Sequence, residues 1–370
     1  MGSLVCQDCG ATAPLDASIW RCECGGLLDL AFAPHFDLER IASRPPDLWR
    51  YREALPIGAE EAVISFGEGF TPLVEIDLGG RSVLAKQDYL FPTGSYKDRG
   101  AAVLVSKAVE LGVRHVVEDS SGNAGCAIAA YCARADIACD IYVPEATSDA
   151  KLAQIRAYGA QLHRVPGSRE QTARAALEAA ADTYYASHSW NPFFFQGTKT
   201  FAFEVCEQLG WRAPDTVILP VGNGTLLLGC DAGFRELRDA GVIDGRPKVV
   251  AVQAAGCAPL ADAFDAGQNE PVAISPEATL AEGIAIAEPV RGAECVAAVR
   301  GSGGCFVRVG DSDIADAQRD AGRMGLYIEP TAAATLAGAR AYCATAAPDE
   351  SIVIALTGSG LKSTGGLHHA

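Results

Sequence analysis

The sequence predicts an α/β fold class: two doubly wound, mostly parallel sheet domains preceded by a small cysteine ribbon. Three observations predict it. From about Val63 onward, short β-branched runs alternate with Ala- and Leu-rich runs of helical character. That is the pattern of right-handed βαβ units, whose helices cover both faces of a parallel sheet. Three glycine-rich turns, at residues 120–125, 221–225 and 357–362, each follow a strand-like run and the first two open a helix-like one. Length agrees, since 370 residues at ~150 per domain is about two and a half domains.

Taken in order, residues 1–33 hold Cys6-Gln7-Asp8-Cys9-Gly10 and Cys22-Glu23-Cys24-Gly25-Gly26, which set them apart as the ribbon. A connecting stretch with Pro34, Pro45, Pro46 and Pro56 reads as loop and short helix. Residues 101–111 read as a helix, 113–118 as a strand, 124–135 as a helix and 138–143 as a strand. A helix over 149–158 is closed by Gly159, and 161–165 is the next strand. The second series has strands at 216–219 and 249–252 around a helix at 226–239, and the last strand spans 351–356.

Composition excludes several function classes. Lys plus Arg is 30 against 46 for Asp plus Glu, a net charge of -16. Phosphate backbones and anionic lipid repel such a chain, so neither nucleic acid nor a membrane is an expected partner. The N-terminus shows no basic segment followed by an apolar run, and the longest apolar runs are too short for a bilayer. A cytoplasmic protein is expected. Thirteen cysteines, most of them scattered through helix-like stretches, are distributed as reduced thiols and not as a disulfide framework.

Open α/β sheets bind ligands where strands end and helices begin. The turns Ser120-Ser121-Gly122-Asn123, Gly222-Asn223-Gly224-Thr225 and Thr357-Gly358-Ser359-Gly360 are therefore the candidate ligand loops. Glycine lets the backbone approach a ligand, and helix N-terminal amides favour an anion. None is a GxGxxG fingerprint or a Walker loop, so a nicotinamide or nucleoside triphosphate site lacks support. A fourth segment, Pro92-Thr93-Gly94-Ser95-Tyr96-Lys97-Asp98-Arg99-Gly100, places a lysine at the start of the helix that follows. The helix dipole has the wrong sign there for an ammonium, which suits an amine bonded to a carbonyl as a Schiff base.

This segment resembles the Pro-Thr-Gly-Ser-Phe-Lys-Asp-Arg-Gly signature of threonine synthases, pyridoxal-phosphate enzymes of the tryptophan synthase β-subunit fold. The resemblance continues through Ser121-Gly122-Asn123, Gly197-Thr198-Lys199-Thr200, Pro220-Val221-Gly222-Asn223-Gly224, Ile328-Glu329-Pro330-Thr331 and Thr357-Gly358-Ser359-Gly360-Leu361-Lys362. It implies that the cofactor is pyridoxal 5'-phosphate, lying in a cleft between the two domains. It implies that Lys97 holds the cofactor as a Schiff base and later moves protons at Cα and Cβ. Asn123 is then beside the ring's 3′-oxygen, Gly222, Asn223, Gly224 and Thr225 cradle the phosphate, and Thr357 contacts the pyridine nitrogen. A hydroxyl there cannot hold that nitrogen protonated as a carboxylate would, which favours elimination and replacement over transamination.

The implied activity is elimination or replacement on a small L-amino acid, with threonine synthase acting on O-phosphohomoserine the nearest named activity. Ser120, Ser121, Gly122 and Phe194 are the implied substrate contacts. Some positions depart from the family pattern. His188-Ser189-Trp190-Asn191-Pro192-Phe193-Phe194 puts Phe194 where a block resembling Asn-Ser-x-Asn-Pro-Tyr-Arg has its arginine. Phenylalanine has no substitute for a bidentate phosphate contact. If Phe194 faces the substrate, O-phosphohomoserine is expected to be a poor one unless Arg156, Arg164 or Lys199 compensates. Ser359 and Ser363 also replace a frequent His and Asp. The alternatives are a β-eliminating dehydratase or ammonia-lyase, a cysteate synthase-like β-replacement enzyme, and, less well supported, a non-catalytic ligand-binding relative.

Cys6, Cys9, Cys22 and Cys24 suffice for a tetrahedral structural zinc site, although Cys-x-Cys is tighter than the usual knuckle and a metal-free ribbon is the alternative. The six histidines form no ligand pair at helical spacing, and His368-His369 lies in the tail. The expected organisation is a ribbon at 1–33, a large cofactor-binding domain from 34–100 and 188–370, and a smaller α/β domain at 101–187. A homodimer is the expected assembly.

Overall fold

The computed structural model describes residues 2–362. Ser363 and the His368-His369 pair lie outside the described residues. Along the chain, β1 (Ser3–Cys6), β2 (Thr12–Pro14) and β3 (Leu28–Ala31) precede the short α1 (Leu38–Ala42), β4 (Leu73–Asp77) and β5 (Ser82–Lys86). Then come α2 (Lys97–Glu110), β6 (His115–Glu118), α3 (Asn123–Ala135), β7 (Ala138–Pro144), α4 (Asp149–Ala157) and β8 (Gln161–Val165). These lead into α5 (Arg169–Ala179), β9 (Tyr184–Tyr185), α6 (Pro192–Thr198) and α7 (Thr200–Gln208). The remainder is β10 (Thr216–Pro220), α8 (Thr225–Asp239), β11 (Lys248–Ala254), α9 (Pro259–Asp265), α10 (Gly292–Gly301), β12 (Cys305–Val309), α11 (Asp311–Arg323), α12 (Pro330–Cys343) and β13 (Ile352–Ala355). Among the described residues no helix is long and apolar enough to cross a membrane.

The chain forms two compact units. The first joins the residues up to Gly69 with Lys97–Thr198. Its four-stranded sheet has the order β8-β7-β6-β9, with every pair parallel. Strand β7 alternates buried Cys139, Ile141 and Val143 with half-buried or exposed neighbours, whereas α3 is buried along residues 124–132. A helix apolar all round belongs inside a core, and α3 packs against both α2 and β7.

The N-terminal residues form an antiparallel sheet of order β2-β1-β3 that does not stand apart from this unit. Three short strands bury too little apolar surface to be stable alone. Leu4 and Leu28 join the same apolar core as α2 and α3. Trp20 packs edge-on to Tyr185 and Trp190, at centroid distances of 5.0 and 5.9 Å, and its indole N–H donates to the Ala180 carbonyl at 3.3 Å.

The second unit joins Phe70–Tyr96 with the described residues from Lys199 on. Its six strands run β12-β11-β10-β13-β5-β4, all parallel except the edge strand β4. Strands β10 and β13 are buried at every residue, as expected when helices cover both faces. The units divide at Lys97 and Thr198, whereas the sequence placed the breaks near 101 and 187. Helix α2 begins at Lys97 itself, and α6 packs along it, so both travel with the first unit.

Candidate active site

Lys97 opens α2, immediately after Tyr96, the last residue of the second unit's leading segment. Below it, the Phe194 ring lies with its centroid 5.7 Å from Lys97 Nζ. Gly100 makes that approach possible: a Cβ there would sit 2.3 Å from the ring. Phe194 has no accessible surface. Its ring is therefore packing under the lysine helix and not a wall that a substrate meets. The argument that Phe194 makes O-phosphohomoserine a poor substrate loses its footing.

The other first-unit residues cluster where β6 and β9 end. After Glu118, the last residue of β6, the chain turns through Ser120, Ser121 and Gly122 into α3, which begins at Asn123. Ser120 is buried and its hydroxyl accepts from the Gly122 amide at 3.2 Å, while Ser121 and Gly122 are half-buried. A Cβ at Gly125 would lie 1.9 Å from the Ser120 carbonyl, so the turn closes tightly on the helix. Next to it, Glu118 and His188 form a buried pair, Nδ1 to Oε1 at 2.7 Å. Burial pushes the Glu118 carboxyl up to about 8 and, aided by the Lys97 charge, the His188 imidazole down to about 3.

In the second unit the sheet order reverses between β10 and β13. The chain runs outward through β11 and β12 and then returns to place β13 on the other side of β10. Ligands bind at such switch points, outside the carboxyl ends of the strands. The register Ile218↔Ile354 sets Thr357 level with Val221, just before Gly222 and Asn223. Gly224, with φ +79, is the left-handed residue that turns the chain into α8 at Thr225. The first amides of that helix have no intrahelical acceptor. Tyr96 ties these pieces together: its hydroxyl meets the Thr225 hydroxyl at 2.8 Å, and its amide donates to the Thr357 carbonyl at 2.9 Å. Thr357 Oγ1 and Ser95 Oγ are buried without a hydrogen-bond partner.

Arg156, Arg164 and Lys199, the basic residues named as compensating candidates, each meet a carboxylate of the protein. Lys199 is buried and bonded to Glu236 at 2.9–3.0 Å. Arg156 and Arg164 both meet Asp149 Oδ1, at 2.8 and 2.6 Å. Sequence reading missed Glu118, His188 and the structural part of Tyr96. Their partners lie 70 and 129 positions away, and the only available signal was their nearness to the candidate loops.

Away from this site, the sulfurs of Cys6, Cys9, Cys22 and Cys24 all lie within 4.8 Å of one another. The Cys6–Cys24 and Cys9–Cys22 separations are 3.5 and 3.6 Å. Tetrahedral zinc with Zn–S near 2.3 Å calls for sulfurs about 3.8 Å apart. Backbone amides of Cys9 and Asp8 hold the Cys6 thiol down to about 7, whereas its sulfur neighbours push Cys24 up to about 12 and Cys22 is also raised.

Comparison with known proteins bears on family and fold. The family model described as pyridoxal-phosphate dependent enzyme matches residues 64–358. Threonine synthase of Methanocaldococcus jannaschii is 37% identical, with 96% of this chain and 92% of that protein covered. Threonine synthase of Methanosarcina acetivorans is 35% identical over 98% of this chain and 92% of that protein. Among solved structures, the processed form of threonine deaminase isoform 2 from Solanum lycopersicum superposes with a TM-score of 0.68 at 23% identity, covering 89% of this chain and 86% of that one. An O-ureido-L-serine synthase does so with a TM-score of 0.68 at 24% identity, covering 81% of this chain and 92% of that one. At that identity the superpositions speak for the fold, whereas the family match and the near full-length threonine synthase relatives speak for descent. This chain belongs to the pyridoxal-phosphate-dependent enzyme family, on its threonine synthase-like side.

Proposed function

We propose that the chain is a threonine synthase-type lyase that releases phosphate from O-phosphohomoserine and forms threonine, with Lys97 as its catalytic residue. The observation that carries the site assignment is Thr357. Its hydroxyl is buried and unpartnered at the carboxyl end of β13, level with the start of the phosphate-loop candidate. A buried hydroxyl without a partner is costly unless a ligand satisfies it, and a ring nitrogen fits that need. When bound, pyridoxal phosphate supplies the electron sink for charge developing at an amino acid's carbons.

The protein's own groups do the rest. Lys97 would hold the cofactor through its Nζ, and as a free amine would move protons at the substrate's Cα and Cβ. The amides and side chains of Gly222, Asn223, Gly224 and Thr225 hold the cofactor phosphate at the start of α8. Asn123 orients the ring through its 3′-oxygen, and Ser120, Ser121 and Gly122 hold the substrate at the start of α3. The full-length likeness to threonine synthases supports the choice of substrate.

Measuring phosphate, ammonia and oxo-acid release across serine, threonine, O-phosphoserine and O-phosphohomoserine tests this. The highest kcat/KM is expected for O-phosphohomoserine, with threonine as product. Ammonia and oxo acid from serine or threonine, without phosphate release from O-phosphohomoserine, would replace this reading by a dehydratase. Thirteen free thiols support a cytoplasmic location, and a homodimer completes the reading.

Zinc held by Cys6, Cys9, Cys22 and Cys24 is part of the same proposal, in a structural role. Elemental analysis of the purified protein is expected to find about one zinc per chain. Replacing Cys22 and Cys24 by serine should remove the metal and lower the melting temperature while leaving the cofactor's absorption unchanged. A metal-free wild type, with stability indifferent to chelators, would exclude it.

A further inference from the structure

A second group of metal-ligating side chains, apart from the cysteines, stands at the carboxyl edge of the first unit's sheet. Glu118 ends β6, Asp119 follows it, and His188 lies three residues past β9, the parallel neighbour of β6. Each offers one ligand atom, two carboxylate oxygens and an imidazole nitrogen, and these lie within 4.8 Å of one another. Exposed carboxylates often cluster without an ion, but this group is not exposed. Glu118 has no accessible surface, His188 is buried and Asp119 is half-buried. Glu118 Oε1 meets His188 Nδ1 at 2.7 Å, while Glu118 Oε2 is buried with no hydrogen-bond partner. A buried carboxylate oxygen without a partner is costly, and a bound cation removes that cost.

We infer that Glu118, Asp119 and His188 bind one divalent first-row metal ion of the manganese type. Two carboxylates and one imidazole form an oxygen-rich donor set that suits Mn2+, whereas the four thiols of the ribbon suit zinc. Donors ~2.1 Å from an octahedral ion lie about 3 Å apart at adjacent corners. Glu118 Oε1 and His188 Nδ1 therefore need to part only slightly to share one. Neighbours hold the donors in place, as they do at metal sites generally. Tyr185 of β9 hydrogen-bonds Asp119, and the Phe194 ring packs edge-on to the imidazole, with centroids 6.1 Å apart. Any proton the carboxyls carry leaves to solvent as the ion binds. The positive charges of Lys97 and Arg169 act on the same groups and oppose a cation, so micromolar and not nanomolar affinity is expected. The ion ties the ends of two parallel strands directly before the Ser120-Ser121-Gly122 turn, and its role is to brace that turn.

Binding is read on the holoenzyme without turnover, so its failure is separate from a failure of the proposed reaction. After EDTA treatment and gel filtration, the protein is titrated with manganese chloride and free Mn2+ is followed by its EPR signal. The wild type should show one saturable site per chain. Glu118→Gln and Asp119→Asn should each weaken it about tenfold or more. Replacing Cys22 and Cys24 by serine should leave it unchanged. Mn2+ should also raise the melting temperature of the wild type and not that of Asp119→Asn, the half-buried change that decides the matter should Glu118→Gln not fold. No saturable binding to the wild type, or its loss with the cysteine pair instead, overturns the inference. Equal binding by Asp119→Asn means adventitious surface binding only and overturns it as well.

Discussion

Replacing Lys97 by alanine is expected to lower turnover about a thousandfold or more, because losing a positioned proton-transfer group alone costs ~10²–10⁴. Covalent attachment of the cofactor is lost as well. Borohydride reduction of the wild type should fix a pyridoxyl group on the α2 peptide, and Lys97→Ala should carry none. Lys97→Arg keeps the charge but offers no amine that condenses with a carbonyl, so it should behave like alanine. The fold should survive both changes. Lys97 is the first residue of α2, outside the helix's own hydrogen-bonded interior, and Phe194 stays anchored by Gly100 and His188. A folded Lys97→Ala protein with near wild-type turnover, or an adduct on another lysine, would remove Lys97 from its assigned role.

The candidate loops were readable because their chemistry is local. Gly222-Asn223-Gly224-Thr225 announces a strand-to-helix turn by composition, and α8 begins at Thr225 beside a glycine at φ +79. The strand at 161–165 was readable to the residue for a similar reason, since Gly159 closes the helix before it. What the sequence could not carry was orientation. The block of Phe194 aligned with an arginine, which fixed its position along the chain but not that its ring turns inward onto Gly100. The helix was expected over 101–111 with Lys97 at its start; in the structure Gly94 turns the chain at φ +83 and α2 begins at Lys97 itself. Pairings such as Glu118 with His188 arise only when two parallel strands end side by side.

A further pairing of that kind should dominate the stability of the second unit. Lys86, the last residue of β5, and Glu204, in α7, form an ion pair at 2.7 Å with neither side chain exposed. Lys86 Nζ also donates to the Thr71 carbonyl at 2.6 Å and to Gln208 Oε1 at 2.8 Å, which uses all three ammonium protons. Glu204 Oε2 accepts the Thr71 amide at 3.2 Å as well. Removing one partner strands a charge without solvent, which costs about 3–5 kcal/mol, far more than an exposed pair contributes. Glu204→Ala and Lys86→Met should each lower the unfolding free energy by an amount of that size. The double replacement Lys86→Met with Glu204→Leu should be less destabilised than either single change, because no unpaired charge remains buried. Urea unfolding of the three variants measures this cycle. Single variants within about 1 kcal/mol of wild type would show that the pair contributes no more than a surface one.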